Sequence, residues 1–254
     1  MRFTVLGSGA ACPPAGSNSS GYLVEENGHT TVLDCGHGVA SSVLRVRPQF
    51  DIDDIVITHM HADHFIDIVP LRFRVTRDMG GVAKRKVRLH LPPGGIESIH
   101  ALMRVLSFPE EFCENTFDVS EFDPNGELEL GPLKVRFAPA VHYVPSWSVR
   151  IEGSGTITYT GDTAPSDDVT ELARGCDLLV AEGTLNEPEP GLVKGHMTPE
   201  QAAEMACDAG SKELLLTHFW YGTDLADFER RGASVYPGPL LMASDGMARD
   251  IQSP

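Results

Sequence analysis

Short apolar runs separated by glycine-rich or polar segments recur along the whole chain. Two strand-like runs at residues 22–24 and 30–33 flank Asn27-Gly28, a dipeptide that favours a tight turn, so they predict a β-hairpin. Residues 39–46 predict a short helix that ends before Pro48, and residues 55–57 indicate the end of a buried strand. We expect a helix over about residues 64–76 to follow that strand.

The middle and last thirds of the chain continue this alternation. Strand pairs are expected at 128–137 and 147–159, strands at 87–91, 178–181 and 214–216, and helices at 95–106 and 169–174, before a final helix and strand. A further helix should begin at Thr198-Pro199-Glu200-Gln201, which suits an N-cap, a first-turn proline and a capping-box glutamine. Many strands interspersed with helices predict an α/β fold of two sheets with helices outside them, in a single domain over residues 1–254.

Composition narrows the class of protein. No apolar run is long enough to cross a bilayer and the chain begins directly with a strand, so we expect a soluble, cytoplasmic protein without a membrane partner. Five scattered cysteines fit reduced thiols. The formal net charge of −16 disfavours a grip on long nucleic acid, which requires a basic surface, whereas a small anionic substrate can still meet bound metal ions directly.

The most informative segment follows the predicted strand at residues 55–57. It reads Thr58-His59-Met60-His61-Ala62-Asp63-His64. In extended backbone His59 and His61 project to the same side, while Asp63 and His64, at the turn into a helix, can face a second point a few ångström away. Imidazoles with a carboxylate favour zinc, with manganese or iron as alternatives. A histidine-rich surface loop is the other interpretation, but a chance cluster has no reason to lie at the end of a buried strand.

Two metal ions need about seven protein ligands, so further ligands are expected at other strand ends. His142, Asp162 and His218 each follow an apolar run at the point where it stops. A carboxylate can bridge two cations, which suits Asp162. We therefore assign His59, His61 and His142 to one metal ion, Asp63, His64 and His218 to the other, and Asp162 to both.

The remaining histidines carry weaker signals. His29, His90 and His100 are expected to be ordinary surface or core residues. His37 could lie near the metal ions, and a structural use fits it equally well. Asp34 ends a predicted strand and is a candidate to accept the second ring N–H of a metal-binding histidine.

Glu182 and His196 form a candidate acid pair. Glu182 ends the predicted strand at 178–181, and His196 directly precedes the capped helix. A carboxylate that orients an imidazole and raises its pKa makes a competent general acid for a departing oxygen. The alternative is that His196 only occupies a loop.

The ordered set of the heptapeptide, His142, Asp162 and His218 resembles the metallo-β-lactamase superfamily over nearly the whole chain. That resemblance implies a four-layer αβ/βα sandwich with two metal ions at one edge, between the sheets. Asp34-Cys35-Gly36, Tyr159-Thr160-Gly161-Asp162-Thr163, Glu182-Gly183-Thr184, Gly195-His196-Met197-Thr198 and Leu216-Thr217-His218-Phe219 look like the ribonuclease Z branch. In that branch the Glu and His that match Glu182 and His196 assist phosphodiester cleavage.

One departure from that branch changes the expected substrate. Ribonuclease Z carries a long arm that grips tRNA, inserted between the positions that match His142 and Asp162. Here these residues are only 20 positions apart, so the arm has no room. The chain is similar to arm-less relatives that hydrolyse small phosphodiesters, notably cyclic nucleotides. The mechanism expected is in-line attack on phosphorus, with Asp63 and Asp162 orienting the nucleophile and His196 protonating the departing oxygen.

Several alternatives stay open on sequence alone. Within the same superfamily they are tRNA 3′ processing and hydrolysis of a thioester or lactone. Hydrolysis of a thioester or lactone does not specifically need the pair of Glu182 and His196. From a different class, the chain could be a metal-binding partner or sensor protein without catalysis. Whether it forms a homodimer is also open.

Overall fold

The computed structural model of the protein describes residues 1–49, 51–78 and 86–252. Within them the strands are β1 (Arg2–Gly7), β2 (Gly21–Glu26), β3 (His29–Leu33), β4 (Asp54–Val56), β5 (Val87–Leu91), β6 (Phe117–Glu121), β7 (Leu128–Leu130), β8 (Leu133–Pro139), β9 (Trp147–Glu152), β10 (Thr156–Tyr159), β11 (Leu178–Glu182), β12 (Leu214–Thr217), β13 (Leu240–Met242) and β14 (Ala248–Asp250). One sheet has the order β14-β1-β2-β3-β4-β5-β6 and the other β13-β12-β11-β10-β9-β8-β7.

The helices lie outside these two sheets. They are α1 (Val39–Val46), α2 (Ala62–Phe65), α3 (Ile68–Asp78), α4 (Gly95–Val105), α5 (Asp167–Leu172), α6 (Pro199–Ala209) and α7 (Leu225–Ala233), with a short 3₁₀ helix at Glu110–Phe112. No helix among the described residues is long and apolar enough to cross a bilayer.

Alternation along the strands builds two cores. In β2, Tyr22 and Val24 belong to the core between the sheets, where the ring centroid of Tyr22 lies 4.8 Å from that of Tyr159 in the opposite sheet. Leu23, between them in sequence, belongs to a second core with Val39 of α1. Because successive side chains of a strand point to opposite faces, a strand buried on both faces is apolar throughout. The result is the four-layer αβ/βα sandwich that the sequence predicts.

Two local predictions are confirmed in detail. Asn27 and Gly28 have φ values of 48° and 81° and join β2 to β3, as a two-residue hairpin turn requires. Helix α6 begins with a complete capping box, in which the Thr198 side chain accepts from the backbone N–H of Gln201 and the Gln201 side chain accepts from that of Thr198.

The single helix expected over residues 64–76 is wrong, because the chain forms two helices, α2 and α3. Asp67 lies between them, and its backbone N–H donates to the carbonyl of Cys35 at 3.0 Å. Its carboxylate accepts from the backbone N–H of Ala40, also at 3.0 Å. These bonds to the segment after β3 take the place of the helical hydrogen bonds at this point.

The topology brings several strand ends to one edge. Strands β3 to β6 are parallel, and so are β10 to β13. Polar residues that follow the carboxyl ends of parallel strands therefore meet at that edge. Backbone hydrogen bonds join the two sheets there, from Trp147 N–H to the Thr58 carbonyl at 3.2 Å and from His218 N–H to the Ser8 carbonyl at 2.9 Å.

Candidate metal centre

The seven predicted ligands converge at this edge in two groups that share Asp162. The first group is His59, His61, His142 and Asp162, and the second is Asp63, His64, Asp162 and His218. Within each group the ligand atoms all lie within 4.8 Å of one another. The grouping is the one that the sequence predicts.

In the first group three ring nitrogens and one carboxylate oxygen could bind a metal ion. Nδ1 of His61 lies 3.2 Å from Nε2 of His59 and 3.0 Å from Nε2 of His142. Oδ2 of Asp162 lies 3.7 Å from Nε2 of His59 and 3.8 Å from Nε2 of His142. Ligands about 2.1 Å from a tetrahedral metal ion would be roughly 3.4 Å apart, so these atoms have the spacing of such a site.

In the second group the other oxygen of Asp162 is used. Its Oδ1 lies 3.2 Å from Nε2 of His64 and 3.3 Å from Nε2 of His218. Oδ2 of Asp63 lies 3.5 Å from Nε2 of His64 and 3.4 Å from Nε2 of His218. One carboxylate thus presents one oxygen to each group, as a bridging ligand does.

Two buried atoms in the second group favour a bound cation. Nε2 of His64 and Oδ1 of Asp162 have no hydrogen-bond partner among the described residues, although each is shielded from solvent. Buried polar atoms without partners are costly, and a metal ion would satisfy both. The residues present therefore fit the divalent metal ions that the predicted ligand set requires.

The charges of the groups agree with this interpretation. Burial lowers the pKa of His59, His61 and His142, so these rings are neutral and carry the free lone pair that a metal ion needs. Burial alone would raise the pKa of Asp162, but the charges of His218 and His64 hold it well below its usual range. Burial likewise opposes ionisation of His64, yet the Asp162 carboxylate raises the pKa of that ring well above its usual value. The carboxylates around His64 therefore favour a positive charge in the second group.

Hydrogen bonds behind the rings fix which nitrogen faces the pocket. Nδ1 of His64 lies 2.6 Å from Oδ2 of Asp34, the carboxylate that the sequence suggests as an acceptor for the second ring N–H of a metal-binding histidine. The Thr58 hydroxyl donates to the same carboxylate at 2.9 Å and lies 3.1 Å from Nδ1 of His59. A hydroxyl that donates to Asp34 can accept from His59, so both rings turn Nε2 toward the pocket.

The rings of His142 and His218 are oriented in the same manner. Nδ1 of His142 lies 2.8 Å from the carbonyl oxygen of Gly195. Nδ1 of His218 lies 2.8 Å from the hydroxyl of Thr184, which donates to Oε2 of Glu182 at 2.5 Å. Sequence reasoning assigned no role to Thr58, Thr184 or the Gly195 carbonyl. All three residues lie in motifs that the sequence singles out, but nothing in those motifs shows that these groups contact ring nitrogens.

Asp34 and His218, at the ends of two strands, have an unusual backbone conformation. Asp34 and His218 have φ values of 56° and 65°, in the left-handed region that side chains other than glycine rarely adopt. Each lies directly after a strand, and the sharp turn directs its side chain into the space between the sheets. Strained residues of this kind gather at functional sites.

Glu182 and His196 lie beside the second group. Oε1 of Glu182 lies 2.9 Å from Nδ1 of His196, and the centroid of the His196 ring is 5.6 Å from that of His218. Burial would lower the pKa of His196, but the hydrogen bond and charge of Glu182 outweigh it and raise the pKa to about 9. The structure therefore holds a protonated imidazole at the edge of the pocket at neutral pH.

The remaining histidines lie elsewhere. His37 is exposed and 4.0 Å from Asp67. His29 and His90 both contact Asp54 at the start of β4, and His100 contacts Glu114. None of the four joins the two ligand groups.

Comparison with known proteins places this arrangement in a family. The model of the beta-lactamase superfamily domain matches residues 29–219. The chain is 28% identical over 250 residues to the probable metallo-hydrolase YhfI of Bacillus subtilis, covering 97% of this chain and 98% of that protein. It is 26% identical over 307 aligned positions to ribonuclease Z of Haloarcula marismortui, covering 100% and 98%.

Solved structures show the same fold. YhfI of Bacillus subtilis superposes with a TM-score of 0.86 at 27% identity, covering 98% of both chains. A diphosphatase of the PhnP family superposes with a TM-score of 0.79 at 21% identity, covering 99% of this chain and 98% of that one. With its two sheets and the paired His and Asp groups at their shared edge, the chain belongs to the metallo-β-lactamase superfamily of metal-dependent hydrolases.

Proposed function

We propose that the protein is a dinuclear metal-dependent phosphodiesterase that hydrolyses small or cyclic phosphodiesters, with cyclic nucleotides as the main candidates. The observation that carries the proposal is the position of Asp162, whose two oxygens face separate groups of three ligands. The pair of Glu182 and His196 lies directly beside them. A hydrolase of thioesters or lactones has no specific need for that pair.

In this proposal the seven ligands hold two divalent metal ions, with zinc favoured by the imidazole-rich set and manganese or iron as alternatives. When bound, the ions polarise the ester and offset the charge that develops on phosphorus. The carboxylates of Asp63 and Asp162 line the pocket and accept hydrogen bonds from the attacking water, which orients its lone pair toward phosphorus.

His196 acts on the leaving group, not on the attacking water. Glu182 holds Nδ1 of the ring, so Nε2 is the atom that can give a proton to the departing oxygen. Glu182 also accepts from the backbone N–H groups of Thr163 at 2.8 Å and Met197 at 3.2 Å, and these bonds fix its carboxylate. The imidazole is thereby held in one orientation before substrate binds.

The pocket favours a small substrate. It has a volume of about 280 Å³, at the low end for ligand sites, and the described residues that line it include neither lysine nor arginine. The stretch from His142 to Asp162 is described throughout and holds only β9, β10 and their connections, which leaves no tRNA-binding arm. The alignment with ribonuclease Z spans 307 positions against 254 residues here, so that enzyme contains residues without a counterpart in this chain.

A ribonuclease Z-type activity on tRNA is the second candidate. It is favoured by the names of relatives that align with the whole chain, such as ribonuclease Z of Haloarcula marismortui.

The test is a panel of 2′,3′- and 3′,5′-cyclic nucleotides, a linear chromogenic phosphodiester, a 3′-extended tRNA precursor, a thioester and a lactone, assayed with one metal-loaded preparation. We expect turnover of at least one small phosphodiester, abolished by chelator and restored by zinc or manganese. Cleavage of the tRNA alone would establish the second candidate. Turnover of thioesters or lactones alone, or of none of these substrates, would overturn the phosphodiesterase proposal.

A further inference from the structure

Two aromatic side chains stand at the mouth of the metal pocket without a role in the proposed chemistry. Tyr143 and Trp220 both line the pocket, and they are 48% and 42% exposed. Burying such rings would stabilise the fold, so their exposure beside a reaction centre calls for a functional reason.

The backbone around Trp220 is held firmly. The N–H of Phe219 donates to the Ser8 carbonyl at 3.1 Å, and the Phe219 carbonyl accepts from Ala10 at 3.0 Å. On the other side, the N–H of Tyr221 donates to the Cys12 carbonyl at 2.8 Å. The segment is therefore tied to the loop after β1 on both sides of Trp220, which presents the indole from a fixed base.

Tyr143 is held through its own side chain. Its hydroxyl donates to Glu189, and the other oxygen of Glu189 accepts from the N–H groups of Gly195 at 2.6 Å and His196 at 3.2 Å. The ring packs on Gly195 so closely that a Cβ there would lie 2.5 Å from it. Its centroid is 5.6 Å from that of His196. The phenol is thus locked beside the candidate acid.

The rest of the pocket defines what these rings can hold. Ala11 and Ala62 add small apolar surface, and the remaining lining residues are the histidines and carboxylates of the metal centre. A phosphodiester would place its charge at the metal ions, which leaves the organic substituent of the ester to contact the aromatic side chains. Flat rings stack on indole and phenol faces, and stacking accepts every nucleobase because each has a π-face.

We propose that Tyr143 and Trp220 form a subsite for a flat heteroaromatic ring attached to the phosphodiester, such as a nucleobase. This inference rests on the proposed function and names its substrate class. Because the described lining offers stacking faces and no free amide or guanidinium to read base edges, the four bases should differ by no more than about tenfold in kcat/KM.

The kinetic test compares two substrates that share the reacting ring. One is a 2′,3′-cyclic nucleotide, and the other is methyl riboside 2′,3′-cyclic phosphate, which has a methyl group in place of the base. Trp220→Ala should raise KM for the nucleotide roughly 5- to 150-fold with kcat little changed, because stacking acts on ground state and transition state alike. For the methyl riboside we expect less than about a twofold change.

Matched variants separate stacking from folding. Trp220→Phe keeps an aromatic face and should recover most of the affinity. Tyr143→Leu, which keeps bulk without the ring, should raise KM for the nucleotide in the same manner as Trp220→Ala. Tyr221→Ala removes an adjacent, 71% exposed aromatic side chain that does not line the pocket. It should leave KM and kcat unchanged for both substrates.

A binding measurement tests the subsite without turnover. In Trp147→Phe protein Trp220 is the only tryptophan, so its fluorescence reports on the pocket. We expect saturable quenching by nucleoside 2′- and 3′-monophosphates, and no quenching by the methyl riboside phosphates. Saturable quenching without hydrolysis of any phosphodiester would preserve the subsite and overturn the proposed function. Hydrolysis of both substrates with equal KM, unaffected by Trp220→Ala, would overturn the subsite and preserve the proposed function.

Discussion

Oδ2 of Asp34 lies 2.6 Å from Nδ1 of His64, and both side chains are fully buried. The contact fixes the ring so that Nε2 faces Asp162, 3.2 Å away. The same carboxylate accepts from the hydroxyls of Thr58 and Tyr159, each at 2.9 Å. Asp34 therefore connects one histidine of each ligand group, His64 directly and His59 through Thr58.

Asp34→Asn should weaken metal binding about 10- to 100-fold, because the neutral amide holds the His64 ring less firmly and lowers its basicity. Asparagine also tolerates the positive φ of this position, so the fold should survive. Competition with a chelator of known affinity measures the change. Tyr159→Phe is the matched control, since it removes another bond to the same carboxylate without touching His64. Equal losses in the two variants would show that Asp34 does not act through His64.

Metal content tests the two ligand groups directly. We expect elemental analysis of protein purified without chelator to give about two metal ions per chain, because seven ligands exceed what one tetrahedral ion can use. Asp162→Ala should lose metal and activity together, since it removes the shared carboxylate. His37→Ala, an exposed histidine outside both groups, should keep the full content. A content near one that added zinc or manganese cannot raise would contradict the dinuclear assignment.

The sequence predicts those parts of the candidate metal centre that come from residues close together in the chain. It does not predict the contacts between residues that are far apart in the chain. The heptapeptide supplies four ligands at the end of one buried strand, a local signal that needs no knowledge of the fold. Thr58, Thr184 and the carbonyl of Gly195 lie within recognisable motifs, but their residue types do not indicate which ring nitrogen each one contacts. Their roles arise because the fold brings them against ring nitrogens, and in the last case the partners are 53 residues apart.

In the fold, too, some strands can be predicted from the sequence and others cannot. Strands with two buried faces contain a continuous apolar run, such as Tyr22 to Val24 in β2, and can be recognised in the sequence. The edge strands β6 and β14 are not predicted from the sequence. Most of β6 is exposed and all three residues of β14 are, so neither contains the continuous apolar run of a strand that is buried on both faces. Their pairing is set by backbone hydrogen bonds to β5 and β1, which composition does not reveal.

His196→Ala should keep both metal ions and lose roughly 10²- to 10⁴-fold in kcat on substrates whose leaving oxygen needs a proton. A p-nitrophenyl ester should lose much less, because nitrophenolate departs without one. Steady-state kinetics on both substrates, with metal content measured on the same samples, provide the comparison. If both substrates lose equally, or neither loses, His196 is not the acid.

A buried carboxylate at the opposite end of β4 should make stability depend on acid pH. Burial would raise the pKa of Asp54, but hydrogen bonds from His90 and Arg88, at 2.8 and 2.7 Å, hold the pKa below its ordinary value of 3.8. A lowered folded-state pKa means that the ionised carboxylate stabilises the fold at pH values above about 4, and that this contribution disappears as the pH falls through the folded-state pKa.

Asp54→Asn should accordingly cost on the order of 3 kcal/mol at pH 7, because it breaks a buried charged pair. The difference from the unmodified protein should stay constant down to about pH 5 and shrink below pH 4. Urea unfolding across this range measures it, and metal loss in acid affects both proteins alike. Asp118→Asn, which changes an exposed carboxylate on strand β6 of the same sheet, should change stability by less than about 0.5 kcal/mol. A difference that is independent of pH would show that Asp54 does not contribute through its charge.

Substrate size should separate this protein from tRNA-processing relatives. The net charge of −16, the short connection from His142 to Asp162 and the small pocket all argue against a grip on a polyanion. We expect kcat/KM for the best cyclic nucleotide to exceed that for a 3′-extended tRNA precursor at both low and moderate salt. Salt is the discriminating variable, because a polyanion held by basic residues loses affinity steeply as salt rises, whereas a small diester held at the metal ions is much less sensitive. If the tRNA is cleaved at its discriminator end with the higher kcat/KM and a steep salt dependence, the preference for small substrates is wrong. In that case a second subunit, or a basic patch that the order of the sequence conceals, must hold the tRNA.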